Sequence, residues 1–210
     1  LEELAILNGF HLVGNPNSGK TSLFNALTGS LQRVANHSGV TVSIKETFFY
    51  DTWGKRHTLC DLPGAYSLRP HEPEEAILQN FLLKNSTRPN RILCVVDANH
   101  LEKSLYLIAQ VLHLKIPSAV FLTIEESAKR SGVYICRERL SRYLGVPVLS
   151  CRSLNLKTMV RVKEFIANDR FKVSELNFLS EHLQQKLVPE NGKTVFETFL
   201  SRAAIVNLDN

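Results

Sequence analysis

At 210 residues, with 44% hydrophobic and 21% charged side chains, the chain is long enough for one ordinary domain with an appendage, and its apolar content excludes a disordered polymer. The net charge of +5 is compatible with nucleic acid or an anionic membrane face, but the basic residues form no long run, so the charge alone selects neither. Four cysteines (Cys60, Cys94, Cys136, Cys151) without a C-x-x-C pair read as reduced thiols, and the lack of a signal peptide or of an apolar run of about eighteen residues predicts a soluble polypeptide.

Residues 1–8 read as a lead-in. Phe10 to Val13 is a short apolar run, and Gly14-Asn15-Pro16-Asn17-Ser18-Gly19-Lys20-Thr21 follows it, matching G-x-x-x-x-G-K-[ST] at every fixed position. In this pattern small residues let successive backbone N–H groups turn around a polyphosphate, the lysine reaches the outer phosphates, and the last hydroxyl binds Mg²⁺. Ser22 belongs to the same phosphate-facing helix start, and Leu23, Phe24 and Leu27 form one apolar face of a helix ending near Gly29. The positive end of that helix points at the phosphates.

Residues 30–38 read as a polar, irregular loop. Gly39, Val40 and Thr41 lead into an alternating strand from Val42 to Tyr50, a hairpin turn at Asp51 to Gly54, and a return strand from Lys55 to Cys60. Trp53 reads as a packing residue at the hairpin tip. The return strand delivers Asp61-Leu62-Pro63-Gly64: a carboxylate that supports Mg²⁺ through water, and a glycine N–H for a γ-phosphate. Thr41 is the candidate for a first switch, ligating Mg²⁺ only while the γ-phosphate is present. Ala65 occupies the position where many switch hydrolases place a water-orienting glutamine.

Further on, the pattern predicts a helix over 73–84, a buried strand over 91–96 ending at Asp97, a helix over 101–114, a buried strand over 118–123, a helix over 137–144, a strand over 146–150 and a helix over 156–167. Alternation of this kind predicts a doubly wound, mostly parallel six-stranded α/β sheet, with the ligand at the carboxyl ends of its strands. Its one antiparallel member is the hairpin arm. The nucleotide domain is placed at 1–168 and a small helical appendage at 169–210, where 174–187 and 193–206 are amphipathic. His11 reads as a core or edge histidine, and Glu72, Glu74 and Glu75 as a solvated helix start. His37 and His71 fall in the two switches, and Asp97 either touches the switch or caps its loop.

The runs Gly14 to Gly29, Val34 to Val42, Asp61 to Leu68 and Val95 to Ala98, with Leu101-Glu102 and Leu105-Tyr106-Leu107 after them, resemble the cytosolic N-terminal GTPase domain of the FeoB-type bacterial ferrous-iron transporters. The resemblance implies a P-loop G-protein fold that binds GTP and GDP, followed by a helical regulatory domain. It implies attachment to a transmembrane permease at the cytoplasmic face of the inner membrane, and leaves oligomerisation open. It implies Mg²⁺ held by Thr21, Thr41 and Asp61, and K⁺ placed by Asn17 to assist a slow hydrolysis in which Lys20, Asn17, Thr41 and Gly64 are the catalytic groups. The guanine-reading sequence of that family, Asn-x-x-Asp, is replaced by Thr123-Ile124-Glu125-Glu126. Thr123 and Glu126 are the base-reading positions, backed by Ser150 and Cys151. Glu126 keeps a carboxylate on a longer stem and Thr123 lacks the amide's paired donor and acceptor, so weakened guanine recognition is expected. Rival readings are a nucleotide hydrolase of relaxed base preference, a nucleotide-sensing switch without turnover, and an RNA- or ribosome-associated GTPase; for the last the tail carries no RNA-stacking aromatic platform.

Overall fold

A computed structural model describes residues 9–29, 33–35, 44–69, 72–83, 89–130, 132–175 and 205–207. Residues 39–41 of the first switch, His37, His71 and the apolar stripe over 176–187 lie outside these residues, as does the Glu126 side chain. In chain order the elements are β1 (Phe10–Val13), α1 (Lys20–Thr28), β2 (Arg33–Ala35), β3 (Ile44–Tyr50), β4 (Arg56–Asp61), α2 (Pro73–Leu83), β5 (Arg91–Asp97), a 3₁₀ turn (Ala98–His100), α3 (Leu101–His113), β6 (Ser118–Thr123), α4 (Glu125–Arg130), β7 (Val133–Ile135), α5 (Arg137–Leu144), β8 (Val148–Ser150), α6 (Leu156–Ala167) and β9 (Ile205–Asn207).

The main sheet runs β2-β3-β4-β1-β5-β6-β8, parallel from β4 through β8 and antiparallel at β2 and β3. All six expected strands are present in it. The seventh, β2, lies inside the stretch that reads as an irregular loop: Arg33–Ala35 pairs with Ile44–Glu46. Three residues are too few for alternation to announce a strand. A second, two-stranded sheet pairs β7 with β9 antiparallel, Val133 opposite Asn207. The last two residues of the helical stretch expected over 193–206, Ile205 and Val206, are in β9, and its other residues lie outside those described. Long-range pairing of a short apolar segment leaves no periodic trace in sequence.

The core follows from the strands' alternation. Ile92, Cys94 and Val96 of β5 face Leu78 of α2, Leu105 and Ile108 of α3 and Leu140 of α5. Leu93 and Val95 face the opposite layer, with Leu23, Phe24 and Leu27 of α1 and Met159, Val162 and Phe165 of α6. Burial on both faces is what makes β5 and β6 near-continuous apolar runs. Residues 169–175 return to the sheet: Phe171 is buried, Lys172 exchanges backbone hydrogen bonds with Ser118, and the Ser174 hydroxyl donates to Leu144 O at 2.7 Å. Cys60, Cys94 and Cys151 are buried free thiols, Cys94 pushed up to about 12 by burial.

His11 is fully buried in β1, where loss of solvent takes its pKa down to about 4 against the opposing pull of backbone groups of Arg91 and Gly9. The ring is therefore neutral at pH 7 and packs 5.3 Å from the ring of Phe81. Trp53 does not pack at the hairpin tip but is 68% exposed. The hairpin is held instead by Asp51, whose Oδ1 accepts from the N–H groups of Trp53 and Lys55, while Oδ2 lies 2.7 Å from His57 Nε2. That ring stacks on Phe49 and meets Phe10.

Burial pushes the Asp51 carboxyl up, but the hydrogen bonds from His57, Lys55 and Trp53 outweigh it and leave the group below its ordinary 3.8. A depressed carboxylate stabilises the fold fully above its unfolded pKa, and this contribution is lost as pH falls through the lower, folded value. Urea unfolding at stepped pH is therefore expected to show wild type losing more stability than Asp51→Asn below about pH 4. Parallel curves for the two proteins would remove Asp51 as an acid-sensitive anchor.

Candidate functional site

The carboxyl ends of β1, β4, β5 and β6 open on one side of the sheet, with Leu12 in register with Asp61 and Asp97 with Thr123. At this edge the chain reverses around β1, whose following helix α1 lies on one face while α2 and α3 lie on the other. A crevice at such a switch point is where doubly wound sheets bind ligands.

The turn from Gly14 to Gly19 lies in that crevice in a conformation its residue types permit. Gly19 has φ 88° and Asn17 φ 63°, both left-handed; asparagine is among the few residues with a side chain that enter this region readily. A Cβ on Gly14 would sit 2.2 Å from Val95 O, so only glycine fits there. On the opposite wall a Cβ on Gly64 would meet the Pro16 backbone at 3.0 Å, and the Ala65 N–H donates to Gly14 O at 3.2 Å. The two loops are thus in direct contact.

Between them lies a cavity of about 650 Å³, with Asn17, Lys20, Thr21, Gly64, Tyr66 and Glu75 among the residues on its wall. At its floor Lys20 Nζ lies 2.8 Å from Asp61 Oδ1, and the Thr21 hydroxyl donates to Asp61 Oδ2 at 2.9 Å. The three groups come from the start of α1 and the end of β4, and both Lys20 and Asp61 are buried. Asn15 Oδ1 and Ser18 Oγ are also buried in this loop and have no hydrogen-bond partner. Orphaned buried polar atoms are costly unless a ligand or water completes them. Ser22 lies on the same wall, while Pro16 and Asn17 are exposed at its rim.

Glu75 is a site residue that the sequence does not reveal. It is buried at the start of α2 rather than solvated, and its Oε1 accepts the Tyr66 N–H at 3.3 Å, tying the loop after Gly64 to α2. Glu72 and Glu74 reach the same cavity. An acidic first turn is ordinary for helices, so spacing carries no signal of it. Asp97 caps its own loop, accepting the N–H and amide of Asn99 and facing His100 Nδ1 at 3.0 Å.

The far end of the crevice is built differently. The Thr123 hydroxyl points inward, 2.7 Å from Ser18 O and 3.1 Å from Val96 O, and braces the glycine-rich turn against β5. Ile124 follows with φ 56° and an exposed side chain, and α4 begins at Glu125. Partial burial pushes the Glu125 carboxyl up, but hydrogen bonds from Ser150 and Lys129 and the charges of Lys129 and Arg137 leave it below the usual value. Cys151 is buried with its N–H on Leu122 O, and burial raises its thiol to about 11.

A family model for ferrous iron transport protein B matches residues 8–166. The chain belongs to the ferrous iron transport protein B family. It is 42% identical over 183 residues to the Fe(2+) transporter FeoB of Escherichia coli K12, a match covering 85% of this chain and 23% of that protein. The chain thus spans about a quarter of the length of that relative. Among solved structures, the cytosolic domain of T. maritima FeoB in its GMPPNP form matches at TM-score 0.74 and 36% identity, covering 85% of this chain and 70% of that one. The cytosolic domain of L. pneumophila FeoB matches at TM-score 0.72 and 35% identity, with the same 85% and 70% coverage. These likenesses establish the P-loop G-protein fold. No helix among the described residues is long and apolar enough to cross a membrane.

Thr123→Val keeps the shape of the side chain and leaves Ser18 O and Val96 O without their hydroxyl. The loss of a buried hydrogen bond of this kind costs about 1–3 kcal/mol. Thermal unfolding of the variant is expected at lower temperature, with weaker nucleotide binding because the turn loses its brace; an unchanged melting point and affinity would show that the brace is idle.

Proposed function

We propose that this chain binds GTP and GDP and hydrolyses GTP slowly, acting as the nucleotide-dependent regulatory domain of a ferrous-iron transporter at the cytoplasmic face of a bacterial inner membrane. The observation that carries the reading is the buried set Lys20, Thr21 and Asp61 at the floor of the cavity. Lys20 meets the outer phosphates, and the N–H groups of the Gly14 to Gly19 turn face the polyphosphate. The unpartnered Asn15 Oδ1 and Ser18 Oγ beside them support the reading of the turn as a ligand site.

Hard oxygen donors suit Mg²⁺, and the Thr21 hydroxyl with the Asp61 carboxylate supplies them in one place; Thr41 is the third candidate. When bound there, the ion offsets charge on the β- and γ-phosphates. Asn17 at the rim offers an amide oxygen for K⁺. Gly64 gives its N–H to the γ-phosphate, and its lack of a side chain permits the approach to Pro16. Ala65 is buried and its N–H is engaged by Gly14 O, so no side chain follows Gly64 to orient a water. Slow turnover follows from that gap.

Asp61 pairs with Lys20 at 2.8 Å; with a polyphosphate bound, Lys20 would turn to the phosphates and the Asp61 carboxylate would be available to help hold Mg²⁺. The family relation supports attachment to a permease.

A second reading, a hydrolase of relaxed base preference, is favoured by the far end of the crevice. Thr123 is turned to the phosphate loop, and Glu125 is held by Lys129 at 3.1 Å. The Thr123 hydroxyl offers no paired acceptors for the guanine N–H groups, and the Glu125 carboxylate is already engaged by Lys129 and Ser150.

Labelled GDP, a non-hydrolysable GTP analogue and their adenine counterparts, titrated with Mg²⁺ in K⁺ and then in Na⁺, separate the readings. Guanine preference of about tenfold or more, the size of one specific hydrogen bond, supports the GTP switch, and equal affinities support the relaxed hydrolase. Lys20→Ala is expected to weaken binding about ten- to hundredfold, the worth of a hydrogen bond to a charged group. Asp61→Asn should bind GDP at least as well as wild type without Mg²⁺ and gain less from adding it; an undiminished gain removes Asp61 from the Mg²⁺ site.

A further inference from the structure

A second polar cavity, of about 400 Å³, opens beyond the far end of the crevice and shares no wall residue with the one at Lys20. Lys129, Arg137, Arg152, Lys157 and Arg161 line it, with Glu125 as the carboxylate on its wall. Lys129 pairs with that carboxylate at 3.1 Å. Arg137, whose charge also acts on Glu125, comes from α5, Arg152 from the turn after β8, and Lys157 and Arg161 from the first two turns of α6. Lys157 and Arg161 are four apart on α6, a spacing at which like charges repel. The positive end of the same helix adds to the field.

Five cations against one carboxylate leave the cavity with a positive field that favours an anion. Arg137 is half-buried, which lowers the dielectric around its charge and strengthens any pairing. A wider groove of about 570 Å³ continues along the edge strand β8 and shares Arg137, Ser150, Thr158 and Arg161 with this cavity. Glu164 and Asp169 also lie on that groove's wall, so the smaller cavity has the higher proportion of cations.

We propose that this cavity is a second anion site, for a ligand carrying phosphate groups, distinct from the nucleotide cavity. Several cations around a small volume match a phosphate-bearing group better than a single carboxylate, and the planar arginine fork binds phosphate oxygens in pairs. Ser150 and Cys151 lie on its wall and back the expected base end of the nucleotide site. Occupancy therefore changes nucleotide affinity, and nucleotide changes phosphate affinity by the same factor. The inference does not depend on which base the nucleotide carries.

The test uses the full chain saturated with GDP, so that the phosphate-loop cavity is filled. Pyrophosphate is titrated calorimetrically, and vesicles of phosphatidylglycerol or phosphatidylcholine are tested by co-sedimentation, for wild type and for the Arg137→Gln, Arg161→Gln double variant. Saturable binding that weakens about tenfold for each arginine removed is expected, with the variant's melting point and pyrophosphate-free GDP affinity unchanged. Binding of pyrophosphate without phosphatidylglycerol identifies a soluble phosphate as the source; binding to phosphatidylglycerol but not phosphatidylcholine, lost in the variant, identifies a lipid headgroup. The proposal is overturned if raising GDP weakens pyrophosphate binding without limit, as direct competition does, if neither probe binds, or if the double variant binds as wild type does.

Discussion

The contact between Lys20 and Asp61 is the constraint on which the rest of the site depends. It joins the first residue of the helix after β1 to the last residue of β4, and it forms only because β1 and β4 are neighbours in register. Removing one partner of a buried pair leaves an uncompensated charge and costs about 3–5 kcal/mol, so the sheet order and the charge pair support one another. The same adjacency brings Gly64 against Pro16 and the Ala65 N–H onto Gly14 O. A ligand that separates Lys20 from Asp61 therefore acts on both loops together. The Glu75–Tyr66 bond extends that coupling from the second loop to α2.

The two ends of the crevice obey different rules. At the phosphate end the small residues are fixed by close approaches, as at Gly14, where a Cβ would overlap Val95 O. At the opposite end Thr123 serves the phosphate turn and Glu125 is drawn to Lys129 and Ser150. At the start of α4 the Glu125 carboxylate meets Ser150 and Lys129. Beyond it Lys129, Arg137, Arg152, Lys157 and Arg161 gather around one cavity.

Much of this is legible in the sequence. The glycine-rich turn, the strand before it and the apolar face of α1 identify one another, and Asp61 to Gly64 gains meaning only behind them. The buried strands β5 and β6 announce themselves as apolar runs. Glu75 reads as solvated because an acidic helix start is commonplace, and Trp53 reads as packed because an aromatic near a turn usually is; the fold places both otherwise. The short strand β2 and the pairing of β7 with β9 carry no period long enough to detect.

By itself the sequence determined the order of most strands and helices, the phosphate-loop chemistry and the kinship with ferrous-iron transporters, because periodicity and short fixed spacings are local properties of the chain. Only the tertiary structure decided that Thr123 braces the turn, that Glu75 ties down the second loop, that Asp51 and His57 hold the hairpin, and that the arginines of α5 and α6 share one cavity. Each of these joins residues distant in the chain, or fixes where a side chain points, and both are set by how the sheet packs.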